Sequence, residues 1–359
     1  MSIRRRRIAA VLGSILLALS VTGCGAPPTP TAAELRVGGL APAGTAADRY
    51  WQEFRGRLEQ SASGLKPVLL TRGELGSDEQ AFAALRRGRI QIAINGAPAI
   101  SGAAPIFALL GAPYLFAGET EVDRLTRRVL EPALAPTLRQ HGVELLALLP
   151  MGFHNLYGRT GAIARAPGVR GVRLRQPTDP ASEAFARALG ADLIPLPSSE
   201  IVTSLQTGII DAGTTVTLNY LWTGVADYAP HLVMTRHAYL FNALLANGPW
   251  WSALSSAERQ LVCGALPSAA QFVAAMRAAE STDLQRAVAT GRVIVAEMAA
   301  SEAASWQHAA AVARPAIVKA LGADAALLAQ AIAAAPESDE GIAPRRLFGC
   351  SASVGTSRR

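Results

Sequence analysis

From Leu35 onward the chain alternates short apolar runs with amphipathic stretches. Leu35, Val37 and Leu40 predict a strand ending in Gly38-Gly39. Ala47, Trp51, Phe54 and Leu58 recur at spacings of four and three, the stripe of a core-facing helix. Val68-Leu69-Leu70 predicts a short strand. Ser77 is placed to cap the next helix, with Phe82 and Leu85 facing inward and Gly88 at its end. Ile90, Ile92 and Ile94 alternate as a strand does, and Val122, Leu125 and Val129 mark another helix. Val143 to Leu149 is almost unbroken apolar sequence, as in a strand buried on both faces.

A second unit repeats the pattern. Val172 and Leu174 predict a strand, and Phe185 and Leu189 a helix stopped by Gly190. Ser199, Ile201 and Leu205 belong to a helix ending at Gly208, and Ile209-Ile210 reads as a strand running into Asp211. Leu232 to Met234 and Leu244 to Ala246 are two further strands. Successive β-α-β-α-β passages predict an α/β protein of two lobes. Ser255-x-x-Glu258 is a capping box that opens a helix-rich region. Residues 265–335 are rich in Ala, the strongest helix former, and are interrupted by a short strand at Gly291 to Val295. Residues 336–359 have no apolar period and read as a flexible tail.

The N-terminus sets the compartment. Arg4 to Arg7 form a basic segment, and Ile8 to Ser20 an apolar run. That run falls short of the roughly 20 residues a membrane span needs, so it reads as a secretory signal. Val21-Thr22-Gly23 then places small residues directly before Cys24, as in a lipobox. Cleavage would leave residues 1–23 as signal peptide, an acylated Cys24 and a Pro/Ala/Thr-rich tether at 24–34. The expected location is extracytoplasmic, with the lipid bilayer as a partner through Cys24.

Charge and chemistry then narrow the function. The full chain has 34 basic and 27 acidic residues, a net +7, and removal of four signal arginines leaves +3. Interspersed charges of that size exclude a nucleic-acid surface. The remaining cysteines, Cys263 and Cys350, form no C-x-x-C pair. A disulfide between them is permitted outside the cytoplasm. Two separate thiols fit equally well. No G-x-S-x-G, P-loop, H-E-x-x-H or G-x-G-x-x-G occurs, and the five histidines are not clustered at metal-ligand spacing. Neither an enzyme nor a cofactor is expected. An exported, tethered, two-lobed chain without catalytic motifs describes a ligand trap.

Several motifs keep a recognisable order. Gly171-Val172-Arg173-Leu174-Arg175 is followed by Ala188-Leu189-Gly190-Ala191, then Pro195 to Ile201, then Leu205-Gln206-Thr207-Gly208-Ile209-Ile210-Asp211. Gly73 to Gly76, Ala112 to Phe116, Gly152 to Leu156 and Thr235 to Leu240 add to the series. The set resembles the solute-binding subunits of tripartite ATP-independent periplasmic (TRAP) transporters, over about residues 35–310. The resemblance implies two α/β lobes, a hinge and a long helix running across both. It places lobe I at 35–151 plus 241–280 and lobe II at 152–240 plus 281–335. It implies a small organic acid as ligand and integral-membrane TRAP subunits as partners.

Carried over by motif, Arg175 falls on the arginine that clamps the substrate carboxylate. A planar guanidinium fork suits that task. Three pocket positions depart from the pattern. A second arginine is here His154, an aromatic is Ser198, and an asparagine is Thr215. A protonated imidazole at His154 would restore charge below about pH 6.5. Asn95, Asp78 and Trp222 are further candidate cleft residues. These departures admit a rival reading, a degenerate binding-fold lipoprotein that senses or scaffolds without transport.

Overall fold

The computed structural model describes residues 34–61, 64–164, 169–338 and 347–350. The signal segment, Cys24 and all of the tether except Glu34 lie outside the described residues. Among the described residues, nine strands form one mixed sheet: β1 (Glu34–Gly38), β2 (Lys66–Leu70), β3 (Ile92–Gly96), β4 (Val143–Gly158), β5 (Arg173–Gln176), β6 (Asp192–Pro195), β7 (Ala212–Val216), β8 (His231–Asn247) and β9 (Ile294–Glu297). Their order is β2-β1-β3-β8-β4-β7-β5-β6, with β9 beside β8.

Two long antiparallel strands organise the molecule. β4 pairs with β8 from Val143↔Asn247 to Gly158↔His231. The start of β4 and the end of β8 lie in lobe I, where β8 borders β3. The other halves lie in lobe II, flanked by β7 and β9. The register shifts at Pro150/Gly152 and again at His154/Leu156, so the sheet bends where it passes between lobes. Asn155 fills the second irregularity. Its Oδ1 accepts from the Arg236 N–H at 3.1 Å, and its Nδ2 donates to Thr217 Oγ1 at 3.3 Å. Arg236 sits at φ +43° and Tyr114 at φ +51°, a region costly for side-chain-bearing residues. The Tyr114 N–H donates at 2.6 Å to the carbonyl of His237, the residue that follows Arg236.

Each lobe is covered on both faces. In lobe I, helix Ala46–Glu59 presents Trp51, Phe54 and Leu58 to one face, while Leu85, Phe107 and Leu134 cover the other. Each such fully buried side chain contributes about 1.5–3 kcal/mol. In lobe II, Tyr157, Leu205 and Tyr220 fill one face, and Leu174, Phe185 and Trp306 the other. Ser77 and Ser255 both close capping boxes, with Gln80 and Glu258. Helix Ala269–Ala289 spans the lobes: Phe272 and Met276 enter the lobe I core and Ala287 that of lobe II.

Several expectations need correction. Residues 281–335 do not all belong to lobe II. In helix Ala300–Leu321, Trp306 and Ala310 pack on lobe II. Ala313, Ile317 and Leu321 pack on lobe I, as do Leu328 and Ile332 of the helix that follows. Ile209-Ile210 is not a strand; β7 starts at Ala212. The two apolar runs near 232 and 244 belong to the single strand β8. The expected tail is docked at one point: Leu347 is only 3% exposed, and Cys350 is disulfide-bonded to Cys263 with Cα atoms 5.8 Å apart.

Candidate functional site

The site grows from the end of β5. Parallel β5 lies between β6 and β7, pairing Arg175 with Ile194 and Gly213. Strand alternation puts Arg175, Gly213 and Thr215 on one face and Gln176 and Thr214 on the other. Arg173 is held at the surface by Asp211 through bonds of 2.8 and 2.7 Å. Arg175 has a different setting. It is 4% exposed, and its Nε donates to the Leu196 carbonyl at 3.0 Å and its Nη1 to the Thr214 carbonyl at 3.3 Å. Among the described residues it makes no ion pair with a carboxylate. Burial pulls its pKa below the ordinary guanidinium value, and the Tyr157 phenol, Asp179 and Glu79 oppose that shift.

Room at this position depends on Gly213. A Cβ there would lie 2.2 Å from the Tyr157 hydroxyl and 3.0 Å from Arg175 Cβ. Tyr157 is fully buried and its hydroxyl has no hydrogen-bond partner. An unpaired buried hydroxyl beside an unpaired buried guanidinium is costly for the empty protein.

On the other face of β5 a small cavity of about 30 Å³ opens between the lobes, room for one or two waters. Ala97, Pro98 and Phe107 line it from lobe I, Gln176, Asp179 and Thr214 from lobe II, and His154, His237 and Tyr239 from the bent strands. Gln176 is 2% exposed. Its Oε1 accepts from Thr214 Oγ1 at 2.8 Å, whereas its Nε2 has no partner. Asp179 is committed to capping helix Pro180–Ala188, accepting from the N–H groups of Ala181 and Ser182, each at 3.0 Å, and from Ser182 Oγ at 2.7 Å. His237 Nδ1 lies 2.7 Å from Thr235 Oγ1, and its ring stacks on Phe185.

His154 pairs with Val216 and so shares the face of Thr214 and Gln176. It lines the cavity, and its ring lies 6.1 Å from that of His237. Burial lowers its pKa to about 3, and the Arg175 charge adds to the shift. The imidazole is therefore neutral throughout the physiological range, which corrects the expectation of a charge gained below pH 6.5. His237 is lowered as well, first by burial and then by His154.

The other candidates divide. Asp78 and Asn95 meet in lobe I: Asn95 Nδ2 donates to Asp78 Oδ1 at 2.6 Å, and the Gly96 N–H donates to Asp78 Oδ2 at 2.7 Å. Burial still raises the Asp78 pKa to about 6, since those two bonds only partly offset it. Neighbouring Glu79 is near enough to act on Arg175, so this helix start faces the end of β5. Thr215 shares the Arg175 face and is buried. Ser198 is exposed on a short turn and does not line the cavity. Trp222 is likewise outside the cavity lining; its Nε1 donates to Asp283 Oδ2 at 2.9 Å, bracing the long helix. Sequence reasoning missed Tyr157, Gln176, Asp179, Thr214 and His237. Of these only Asp179 carried a signal, being an Asp directly before Pro180 at a helix start. Among the described residues no group of His, Cys, Asp or Glu is arranged to hold a metal ion.

Known proteins share this architecture. Residues 39–319 match the profile of DctP, the bacterial extracellular solute-binding protein family 7. The chain is 27% identical over 232 residues to the ectoine-binding periplasmic protein TeaA of Halomonas elongata, covering 63% of this chain and 67% of that protein. It is 26% identical over 222 residues to the 2,3-diketo-L-gulonate-binding periplasmic protein YiaO of Escherichia coli, covering 61% and 66%. The matches thus span about two thirds of these curated relatives. A TRAP periplasmic solute-binding protein from Roseobacter denitrificans, solved with bound β-D-glucuronate, superposes with a TM-score of 0.78 at 21% identity, over 84% of this chain and 100% of that one. At that identity the likeness shows the two-lobed fold. The family consists of solute-binding proteins rather than enzymes. A profile match across residues 39–319, well beyond half the chain, means that this protein belongs to bacterial extracellular solute-binding protein family 7, the solute-binding subunits of TRAP transporters.

Proposed function

We propose that this protein captures a small organic acid outside the cytoplasmic membrane, with Arg175 as the carboxylate anchor, and delivers it to the integral-membrane subunits of a TRAP transporter. The observation that carries the reading is the 4% exposed Arg175 guanidinium, bonded to two carbonyls and, among the described residues, lacking any carboxylate ion pair. A permanent charge in that position is unfavourable until an anion arrives. Diketogulonate and glucuronate, the ligands named for two similar proteins, are both carboxylates. Lobe closure follows from the same architecture, with the bent segments of β4 and β8 as the hinge and Thr215, Asp78 and Asn95 at the rims of the cleft. Ser198 and Trp222 support the cleft rather than touch ligand.

A thermal-shift screen of mono- and dicarboxylates, sugar acids and neutral sugars tests this. Carboxylates should stabilise the protein and neutral sugars should not. Stabilisation by neutral sugars alone would overturn it.

The lipid anchor is part of the same proposal. It is supported by the basic segment, the apolar run and the small residues that precede Cys24. Cells expressing the wild type should incorporate labelled palmitate into the protein, and Cys24→Ala should not. Equal labelling of both would remove the anchor.

A further inference from the structure

The charge inventory of the cleft limits what kind of acid it takes. Arg175 is the guanidinium buried at the end of β5. The cavity beside it has no Lys or Arg in its lining. His154, the lining residue that feels the Arg175 charge, is half-buried, and its pKa is lowered to about 3 by desolvation first and by that charge second. The cavity's ionisable acid is Asp179, whose carboxylate is already satisfied by a helix start and by Ser182. A second ligand carboxylate would find no cation there and would face Asp179. Beside the two lining imidazoles, His154 and His237, the cavity offers one buried donor without an acceptor, Gln176 Nε2. Around it stand Phe107, Phe185 and Pro98, which cannot hydrogen-bond through their side chains.

We infer that the ligand is a monocarboxylate whose other end is neutral and mostly apolar, carrying one acceptor oxygen that takes the Gln176 Nε2 hydrogen bond. This rests on Arg175 as the carboxylate anchor. The two ends of the ligand would straddle the end of β5, because Arg175 and Gln176 project to opposite faces of the strand there. A dicarboxylate buries a charge without a partner, and a sugar acid buries more hydroxyls than this wall can satisfy. Gln176 is then a specificity-determining residue, and His154 excludes a second charge by remaining neutral.

Calorimetry on the mature protein with four matched acids tests the inference. Succinate and 4-oxopentanoate have nearly the same shape, a carboxylate oxygen being exchanged for a methyl group. Pentanoate lacks the acceptor oxygen, and D-glucuronate adds hydroxyls. The expected order puts 4-oxopentanoate first, about tenfold or more above pentanoate and about 100-fold above succinate and glucuronate. Arg175→Ala should weaken binding of all four by about 30-fold or more. Gln176→Leu should bring 4-oxopentanoate down to the level of pentanoate and leave pentanoate unchanged. His154→Arg, which adds a second guanidinium, should gain succinate binding.

Succinate or glucuronate binding as tightly as 4-oxopentanoate, and weakened in Arg175→Ala, overturns the inference while the acid-receptor reading stands. No binding of any acid at millimolar concentration, or binding that Arg175→Ala leaves undiminished, overturns both. A folded Gln176→Leu that binds 4-oxopentanoate like the wild type removes the role of the amide, whatever His154→Arg does.

Discussion

Replacing Arg175 by Ala should separate ligand capture from folding. In the empty protein the substitution removes a desolvated guanidinium, together with two hydrogen bonds to the Leu196 and Thr214 carbonyls. Hydrogen bonds to a charged group contribute about 1.5–3 kcal/mol each. Keeping an unpaired ion out of water costs several kcal/mol. These terms oppose each other and are of similar size, so the unliganded variant should lie within about 1 kcal/mol of wild type, or above it. With ligand the balance changes. An acid bound by the wild type loses its only cation, at about 2–5 kcal/mol, or about 30- to several-thousand-fold in affinity. Urea unfolding with and without the acid reads both effects. At 100 times the dissociation constant the ligand stabilises wild type by about 2.7 kcal/mol. After a 100-fold loss of affinity the same concentration supplies only about 0.4 kcal/mol. Arg175→Lys should fall between the two, keeping the charge but not the fork. Loss of more than about 3 kcal/mol in the empty variant would make Arg175 a structural residue. Undiminished ligand stabilisation would refute the carboxylate anchor.

Three further outcomes are expected. The Cys263–Cys350 bond closes 87 residues, for which loop entropy gives about 4–5 kcal/mol, so Cys350→Ser or reduction should lower the urea midpoint of wild type strongly; a change under about 1 kcal/mol would show that the docked C-terminal segment holds without it. Gly213→Ala places a Cβ against Tyr157 and should cost about 1–3 kcal/mol and weaken acid binding, and an unaffected variant would mean that this strand shifts freely. Because the His154 pKa is depressed from 6.5 to about 3, the unfolded chain takes up a proton that the native one does not, and stability should fall as pH drops from about 6.5 towards 3. His154→Gln should flatten that acid limb, with acid binding showing no His154 titration between pH 5 and 8, whereas an NMR titration placing the imidazole pKa near 6.5 would contradict the burial argument.

Much of the framework was legible because it is local. The stripe of Trp51, Phe54 and Leu58 specifies a helix whatever it packs on, and the capping boxes at Ser77 and Ser255 are read within four residues. Arg175 was legible through its motif and through its place at a strand end. The nature of its surroundings was not. Orphaned donors at Tyr157 and Gln176 appear only when β4, β5 and β7 are laid side by side, since pairing decides which polar atoms find partners.

The sequence by itself determined the two α/β units, the capping boxes at Ser77 and Ser255 and the motif that carries Arg175. Tertiary structure decided five other things. It joined two apolar runs into β8, because a strand that pairs with β4 along its whole length keeps its backbone hydrogen-bonded through the polar stretch between them. It moved the strand from Ile209-Ile210 to the small residues after Asp211, because only a glycine at 213 leaves room for Tyr157 and Arg175. It carried helix Ala300–Leu321 from one lobe to the other and brought Cys350 to Cys263 across 87 residues. It lowered the His154 pKa by desolvating the half-buried ring and placing it near Arg175. Each depends on groups far apart in the chain, and burial, clearance and electrostatic field at a residue are set by neighbours in space that its own sequence window does not contain.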